Sequence, residues 1–270
     1  MTREIGIGLI GSGYMGKAHA VALQAVGSVF NTELRPRCEM IATSSQSRAE
    51  KAAVELGFAR ATGDWRKLVA DAAVEAVVIA SPQDTHCEIA LACFAAGKPV
   101  FCEKPLAATT VEAEQMVAAA ASSGVANMIG FNYVRTPATQ FARQLVGSGE
   151  IGDLHYIRAE HSEDFLADAT EPANWRTRGQ ANGTLGDLAP HIVNAALALG
   201  GDIVELIGDQ QTTCTERVGE NGPEAVTNDD QAQLMCRYAS GAMGHLFFSR
   251  VAHGRKMGYA YELHGSTGSI

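Results

Sequence analysis

Ile5-Gly6-Ile7-Gly8-Leu9-Ile10-Gly11-Ser12-Gly13-Tyr14-Met15-Gly16 is a short apolar run that ends in glycines, and a helical pattern from Met15 to about Val26 follows it. Strand, tight turn and helix is the reading this order supports. Gly11, Gly13 and Gly16 fit GxGxxG in the context that motif requires. The first glycine permits the turn, the second lets backbone approach a pyrophosphate, and the third lets helix and strand pack closely. Phosphates would then meet free N–H groups at the positive end of the helix. Gly11, Gly13, Tyr14, Met15 and Gly16 are therefore expected to cradle a dinucleotide.

Working outward, Gly27 to Arg37 reads as a loop, Glu39 to Thr43 as a strand and Ser47 to Leu56 as a helix. Asp64 opens a helix at Trp65, and Ala76 to Ala80 is a buried strand. Thr85-His86-Cys87-Glu88 has the form of a capping box opening a helix to Ala96, which Gly97 ends. Pro99 to Cys102 is a further strand, and Thr109-Thr110-Val111-Glu112 a second capping box for a helix to about Ala121. Apolar strands alternating with helices predict a parallel sheet covered on both faces.

After Gly124 the pattern changes. Leu154 to Glu163 and Gln231 to Arg250 alternate apolar and polar residues, as antiparallel strands with one covered face do. Helices are expected from Pro137 to Val146 and from Pro190 to Leu199. The fold class expected is thus α/β: a doubly wound parallel sheet over residues 1–125, and an α+β domain with a large, mostly antiparallel open sheet over 126–270. A length of 270 residues allows two such domains. The final strand and turn, Glu262 to Ile270, has no element after it to close the sheet, so the second domain reads as incomplete.

Composition narrows the function. Residues are 46% hydrophobic and 19% charged, which suits a globular core, and the net charge of -9 argues against nucleic acid as the main partner. The six cysteines show no CxxC pair and no metal-ligand spacing, so free buried thiols are expected and no metal. The N-terminus lacks the apolar stretch of a signal peptide, and no run approaches the roughly 18 apolar residues of a membrane span. A cytoplasmic location is expected.

Two features bear on a cofactor. The second strand ends Ala42-Thr43-Ser44-Ser45-Gln46-Ser47-Arg48, without the carboxylate that usually binds the ribose 2′-hydroxyl of NAD. Ser44, Ser45 and Arg48 would tolerate or bind a 2′-phosphate, so NADP is expected at least as readily as NAD, unless Arg48 is only a solvated helix residue. Ser81-Pro82-Gln83-Asp84-Thr85-His86 and Glu103-Lys104-Pro105 follow buried strands, where ligands collect in such sheets. A charged pair there is costly unless used or paired. Lys104 can donate to a substrate hydroxyl; the plainer alternative is a surface salt bridge between Glu103 and Lys104. Asp187-Leu188-Ala189-Pro190-His191 spaces an acid and an imidazole at i and i+4 on a helix whose first turn accepts Pro190. His191 could take a hydroxyl proton, though Asp187 as an N-cap and His191 as a packed side chain is the reading this pair supports alone.

In this order, the N-terminal GxGxxG, Ser81-Pro82-Gln83-x-x-His86, Glu103-Lys104-Pro105, Gly130-Phe131-Asn132-Tyr133 and Asp187-x-x-x-His191 resemble the Gfo/Idh/MocA oxidoreductases. The resemblance implies a Rossmann domain joined to an open-sheet domain that forms homodimers or homotetramers. It implies Lys104, Asp187 and His191 as the catalytic group, Ser81, Pro82, Gln83, His86 and Glu103 near the cofactor, and Asn132, Tyr133, Trp175 and Arg176 along the substrate site. The activity implied is hydride transfer between a nicotinamide and a secondary alcohol of a cyclitol, sugar or sugar derivative. Departures are Gln83 where the family usually has Asn, and Asn194 where it often has Asp. Two rival readings are a non-redox lyase or glycosidase using nicotinamide transiently, which net cofactor turnover would separate, and a dinucleotide-sensing regulator. Retention of Lys104, Asp187 and His191 together counts against the regulator.

Overall fold

The computed structural model describes residues 2–270, which divide into two compact units, one ending at Gly130 and the other running over Phe131–Ile270. In the first, strands β1 (Arg3–Ile10), β2 (Leu34–Ala42), β3 (Arg60–Thr62), β4 (Ala76–Ile79), β5 (Val100–Cys102) and β6 (Asn127–Ile129) alternate with helices α1 (Tyr14–Val29), α2 (Gln46–Leu56), α3 (Trp65–Ala70), α4 (His86–Ala95) and α5 (Thr110–Ser123). All strand pairs are parallel, in the order β3-β2-β1-β4-β5-β6. The strands are apolar because both sheet faces are covered. Ile10, Val77 and Ile79 pack with Leu68, Ile89 and Phe94 on one side, and Leu9, Ile41 and Val78 with Ala20, Ala53 and Phe58 on the other. Leu9, Ile41 and Ile79 are fully buried.

Local chemistry starts the helices. The Asp64 carboxylate accepts from the Arg66 N–H at 3.0 Å, and the Thr109–Glu112 box closes with both bonds made. The box expected at Thr85 does not form. A 3-10 turn over Gln83–Thr85 runs straight into α4, so Thr85 is already helical and its hydroxyl donates to Pro82 O at 2.6 Å. The loop expected over residues 27–37 is also corrected: α1 continues to Val29 and β2 begins at Leu34. Pro36 and the arginines beside it hid the strand. Because β3 pairs only with Met40–Ala42, β2 is an edge beside Pro36, where a missing N–H is tolerated. The boundary expected at residue 125 precedes β6, whereas β6 pairs with β5 and belongs to the first unit.

The second unit contains α6 (Pro137–Gly147), β7 (Leu154–Ser162), α7 (Thr184–Asp187), α8 (Ala189–Gly200), β8 (Ile203–Gln211), β9 (Glu216–Gly219), β10 (Gly222–Ala225), β11 (Gln231–Tyr238), β12 (Met243–Ser249) and β13 (Gly258–Gly265). Its five-stranded sheet runs β13-β7-β12-β11-β8, antiparallel except where β12 pairs β7, so the mixed and mostly antiparallel sheet matches the expectation. Ile192 and Ala196 of α8 pack on Leu246 and Phe248, and Leu199 lies with Ile157 and Tyr238. The alternation Ile157, Ala159, His161 on β7 gives the buried face of that strand. β8 was not anticipated: it is exposed along nearly its whole length, so its apolar residues follow no period.

Candidate active site

At the carboxyl end of β1, Gly11 has φ 103°, and a Cβ there would lie 2.3 Å from Ala80 O. Only glycine suits that backbone. A Cβ on Gly16 would lie 2.2 Å from Gly11 O, so the helix can start directly against the turn. A Cβ on Gly13 would meet nothing within 4 Å, and no side chain caps α1. The turn thus leaves an open approach to the uncapped helix end, which fits a pyrophosphate. The strand order reverses between β1 and β4, the place where such sheets take ligands.

The surrounding loops hold each other. Ser44 Oγ accepts from Arg48 Nη1 at 3.2 Å, and Ser45 Oγ caps α2 by accepting from the Arg48 N–H at 3.4 Å. His86 is buried, with Nδ1 2.9 Å from Pro105 O and Nε2 3.0 Å from Ser81 O, so it spans the loops after β4 and β5. Ser81 Oγ and Thr85 Oγ1 bond at 2.7 Å, while Pro82 is exposed and Gln83 half-buried. Glu103 is buried and its carboxylate lies 2.7 Å from His19 Nε2, with the Lys104 N–H at 3.3 Å. His19, on α1, escaped the sequence reading because nothing local connects it to Glu103. Lys104 is half-buried at the start of a cis peptide to Pro105.

In the second unit, Asp187 and His191 do not share one helix as expected. Asp187 ends α7, Leu188 links the two in a right-handed conformation, and His191 lies in the first turn of α8 after Pro190. The helix is interrupted at the residue whose backbone precedes Pro190 by two, and the N-cap of α8 is Leu188, not Asp187. Asp187 Oδ2 lies 3.6 Å from Arg176 Nε. The Arg176 guanidinium sits 4.3 Å over the Trp175 ring and 5.2 Å from that of Phe165. Trp175 itself is 55% exposed, so an aromatic surface flanks the carboxylate. Asn132 is exposed beside the half-buried Tyr133.

His191 is buried among rings. Its centroid lies 4.5 Å from Tyr133, 5.6 Å from His161 and 6.5 Å from Phe131, each edge to face. Tyr133 stacks on Tyr259 at 4.4 Å, and Tyr259 donates its hydroxyl toward His191 O at 3.5 Å. Burial pushes the Tyr259 hydroxyl well above the usual phenol range, so it stays a neutral donor. His161, Glu163 and Tyr259 were missed from sequence; the available signal was a histidine in a core-facing slot of β7. Behind them, buried Arg250 binds the loop that carries Trp175 and Arg176, donating from Nη1 to Arg176 O at 2.8 Å and Asn182 O at 3.0 Å. Among the described residues no group of three or more His, Cys, Asp or Glu could hold a metal ion.

A glycine-rich phosphate turn on a doubly wound sheet, with an acid, an imidazole and an arginine-aromatic surface on an open-sheet unit, defines a dinucleotide-dependent oxidoreductase architecture. Residues 5–131 match the model for an oxidoreductase family with an NAD-binding Rossmann fold, and residues 139–270 match the GFO/IDH/MocA C-terminal domain. The chain belongs to the GFO/IDH/MocA oxidoreductase family. It is 36% identical to levoglucosan dehydrogenase from Pseudarthrobacter phenanthrenivorans, over 99% of this chain and 73% of that protein. Myo-inositol 2-dehydrogenase from Thermotoga maritima is 28% identical over 98% of this chain and 74% of its own length. Levoglucosan dehydrogenase solved with NADH and levoglucosan superposes with a TM-score of 0.96 at 37% identity, covering 99% of this chain and 73% of the other. An NAD-binding oxidoreductase from Klebsiella pneumoniae gives 0.94 at 39% identity, covering 98% and 72%.

Proposed function

We propose that this NAD-dependent dehydrogenase oxidises a secondary alcohol of a pyranose-sized sugar or cyclitol. The observation that carries the reading is the likeness, over 99% of this chain and 73% of the other, to levoglucosan dehydrogenase in its complex with NADH and levoglucosan. The turn at Gly11, Gly13 and Gly16 would hold the pyrophosphate, with Tyr14 and Met15 in the same helix turn and Ser81, Pro82, Gln83 and Glu103 toward the nicotinamide. Bound NAD supplies the hydride acceptor. His191 takes the hydroxyl proton, Lys104 stabilises negative charge on that oxygen, and Asp187, steadied by Arg176, orients the substrate. Asn132, Tyr133 and Trp175 contribute polar and aromatic contacts to the sugar. His86, with both ring nitrogens turned to backbone carbonyls, acts by holding the loops that carry Ser81 and Pro105.

A panel of levoglucosan, inositols and aldoses, followed at the nicotinamide absorbance, tests this. Reduction of NAD by at least one polyol is expected, and tight NAD binding without turnover of any polyol would overturn it.

Cofactor selectivity is a second prediction. No carboxylate follows β2, and Ser44 is engaged only by Arg48 among the described hydrogen bonds. NADPH should therefore bind measurably beside NADH. Ser44→Asp should weaken NADPH about tenfold or more relative to NADH, because two like charges a few ångströms apart repel by about 1–4 kcal/mol in polar surroundings. Fluorescence titration of both dinucleotides decides it, and a native protein blind to NADPH would refute the argument.

We further propose a homodimer or homotetramer. On the sheet face away from α8, Ile207, Met235 and Met243 are 66%, 61% and 51% exposed, beside the part-exposed Tyr156, His245 and Phe247. A second copy would cover this apolar face. Light scattering showing a monomer at micromolar concentration would refute it. No helix among the described residues is long and apolar enough to cross a membrane. For the cytoplasmic location, support comes from six free thiols, of which Cys93 and Cys102 are pushed up to about 12 by burial.

A further inference from the structure

We propose that His161 and Glu163 form a buried imidazolium–carboxylate pair that positions the Asp187–His191 corner. The proposal rests on the dehydrogenase reading for what that corner does, and on the hydrogen bonds of His161 for the pair itself. His161 is 1% exposed. Its Nδ1 lies 3.3 Å from Leu188 O and its Nε2 lies 3.0 Å from Glu163 Oε1. A carbonyl oxygen only accepts, so a hydrogen bond here requires a proton on Nδ1. Nε2 faces a carboxylate oxygen, which also accepts unless it is itself protonated. The Glu163 side chain is 21% exposed, so its carboxyl group keeps contact with water. Both bonds are then made only if the ring holds two protons. A neutral ring would leave one buried nitrogen lone pair facing an oxygen, at the cost of an unmade buried hydrogen bond.

Leu188 O is the point at which this acts. Leu188 joins α7 to α8, directly after Asp187 and three residues before His191. Its carbonyl also accepts the His191 N–H at 3.2 Å, and no side chain caps α8 there. The His161 N–H is the side-chain donor that holds this peptide from the sheet, and Glu163 holds His161. The other titratable groups around the ring are Tyr133 from the segment before α6, Tyr259 from β13 and His191 from α8, at 5.6, 5.5 and 5.6 Å between centroids. None of the three carries a carboxyl group, so Glu163 is the acid that meets the ring. His161 is thus a positioning residue: it fixes the direction from which Asp187 and His191 meet a substrate and leaves the chemistry to them.

The test is nitrogen-15 NMR of the histidine rings in the full chain with NADH bound. His161→Asn removes, and so assigns, the His161 signals among those of the eight histidines. Two ring protons are expected on His161 at neutral pH, and Glu163→Gln should convert it to the tautomer protonated at Nδ1 alone, since a carboxamide N–H can donate to Nε2. His191 signals should move in His161→Asn. A singly protonated native His161, or a ring unchanged by Glu163→Gln, overturns the pair. On a substrate of the panel, His161→Leu should lower kcat about tenfold with NADH affinity unchanged, and His161→Asn, whose N–H can reach toward Leu188 O, should recover part of the loss. Equal kcat for both variants and the native enzyme overturns the positioning role. If the NMR result is as expected but no polyol is turned over, the dehydrogenase reading fails and the pair stands.

Discussion

Lys104→Met is expected to lower turnover at least about a hundredfold while leaving NADH affinity within about twofold. Methionine keeps length and loses charge. The dinucleotide turn is built from backbone at Gly11, Gly13 and Gly16, so binding there should not depend on this side chain. Stabilisation of an oxygen that gains negative charge only in the transition state is worth on the order of 3 kcal/mol, which falls on kcat and kcat/KM together. The alternative, a surface salt bridge with Glu103, predicts a loss of about 0–1 kcal/mol. Glu103 is in fact buried and its carboxylate is taken up by His19 and the Lys104 N–H, which makes it a part of the loop's frame. Steady-state kinetics on a polyol substrate decide between them. A variant that keeps more than about a third of native activity, a loss under roughly 0.7 kcal/mol, would exclude the catalytic role.

The second large effect is on stability. Arg250 and Asp230 are each 1% exposed in their side chains, 2.9 Å apart. Arg250 also donates to Asn228 Oδ1 at 2.7 Å as well as to the carbonyls of Arg176 and Asn182. The second Asp230 oxygen accepts from the Thr213 N–H and hydroxyl and the Cys214 N–H. Arg250→Met leaves Asp230 buried without its cation and takes one donor each from Asn228 Oδ1 and the carbonyls of Arg176 and Asn182, of which Arg176 O keeps the Asn228 Nδ2–H at 2.8 Å. Such a half-removed pair typically costs about 3–5 kcal/mol, so the urea midpoint of the second unit's transition should fall clearly. The loop that carries Arg176 and Trp175 loses one of its anchors, so KM for the sugar should also rise more than kcat falls in any folded fraction if these two residues line the substrate site as proposed. Arg250→Lys keeps the charge, lacks the fork, and should fall between. An Arg250→Met protein with a native urea midpoint would sink the argument.

The sequence by itself determined those features whose physics lies within a few residues. Ile5 to Ile10 followed by Gly11, Gly13 and Gly16 specifies strand, turn and helix, because apolar period and glycine conformational freedom act locally. Thr109 and Glu112 close a cap three residues apart for the same reason. The order of Glu103-Lys104-Pro105 and Asp187-x-x-x-His191 marked the family, and with it the residues to test. Even locally, sequence reading failed where tertiary pairing overrides preference: Leu34–Ala42 is a strand through Pro36 because the sheet has an edge there, and Thr85 caps nothing because a turn precedes it. What only the tertiary structure decided is which polar groups meet across long stretches of chain. His19 reaches Glu103, His161 reaches Leu188, and Arg250 reaches Asp230, Asn228 and the carbonyls of Arg176 and Asn182. No spacing rule encodes these contacts, since the topology of the sheets brings the partners together. Burial then makes each bond matter, because inside the fold no water replaces a missing donor or acceptor.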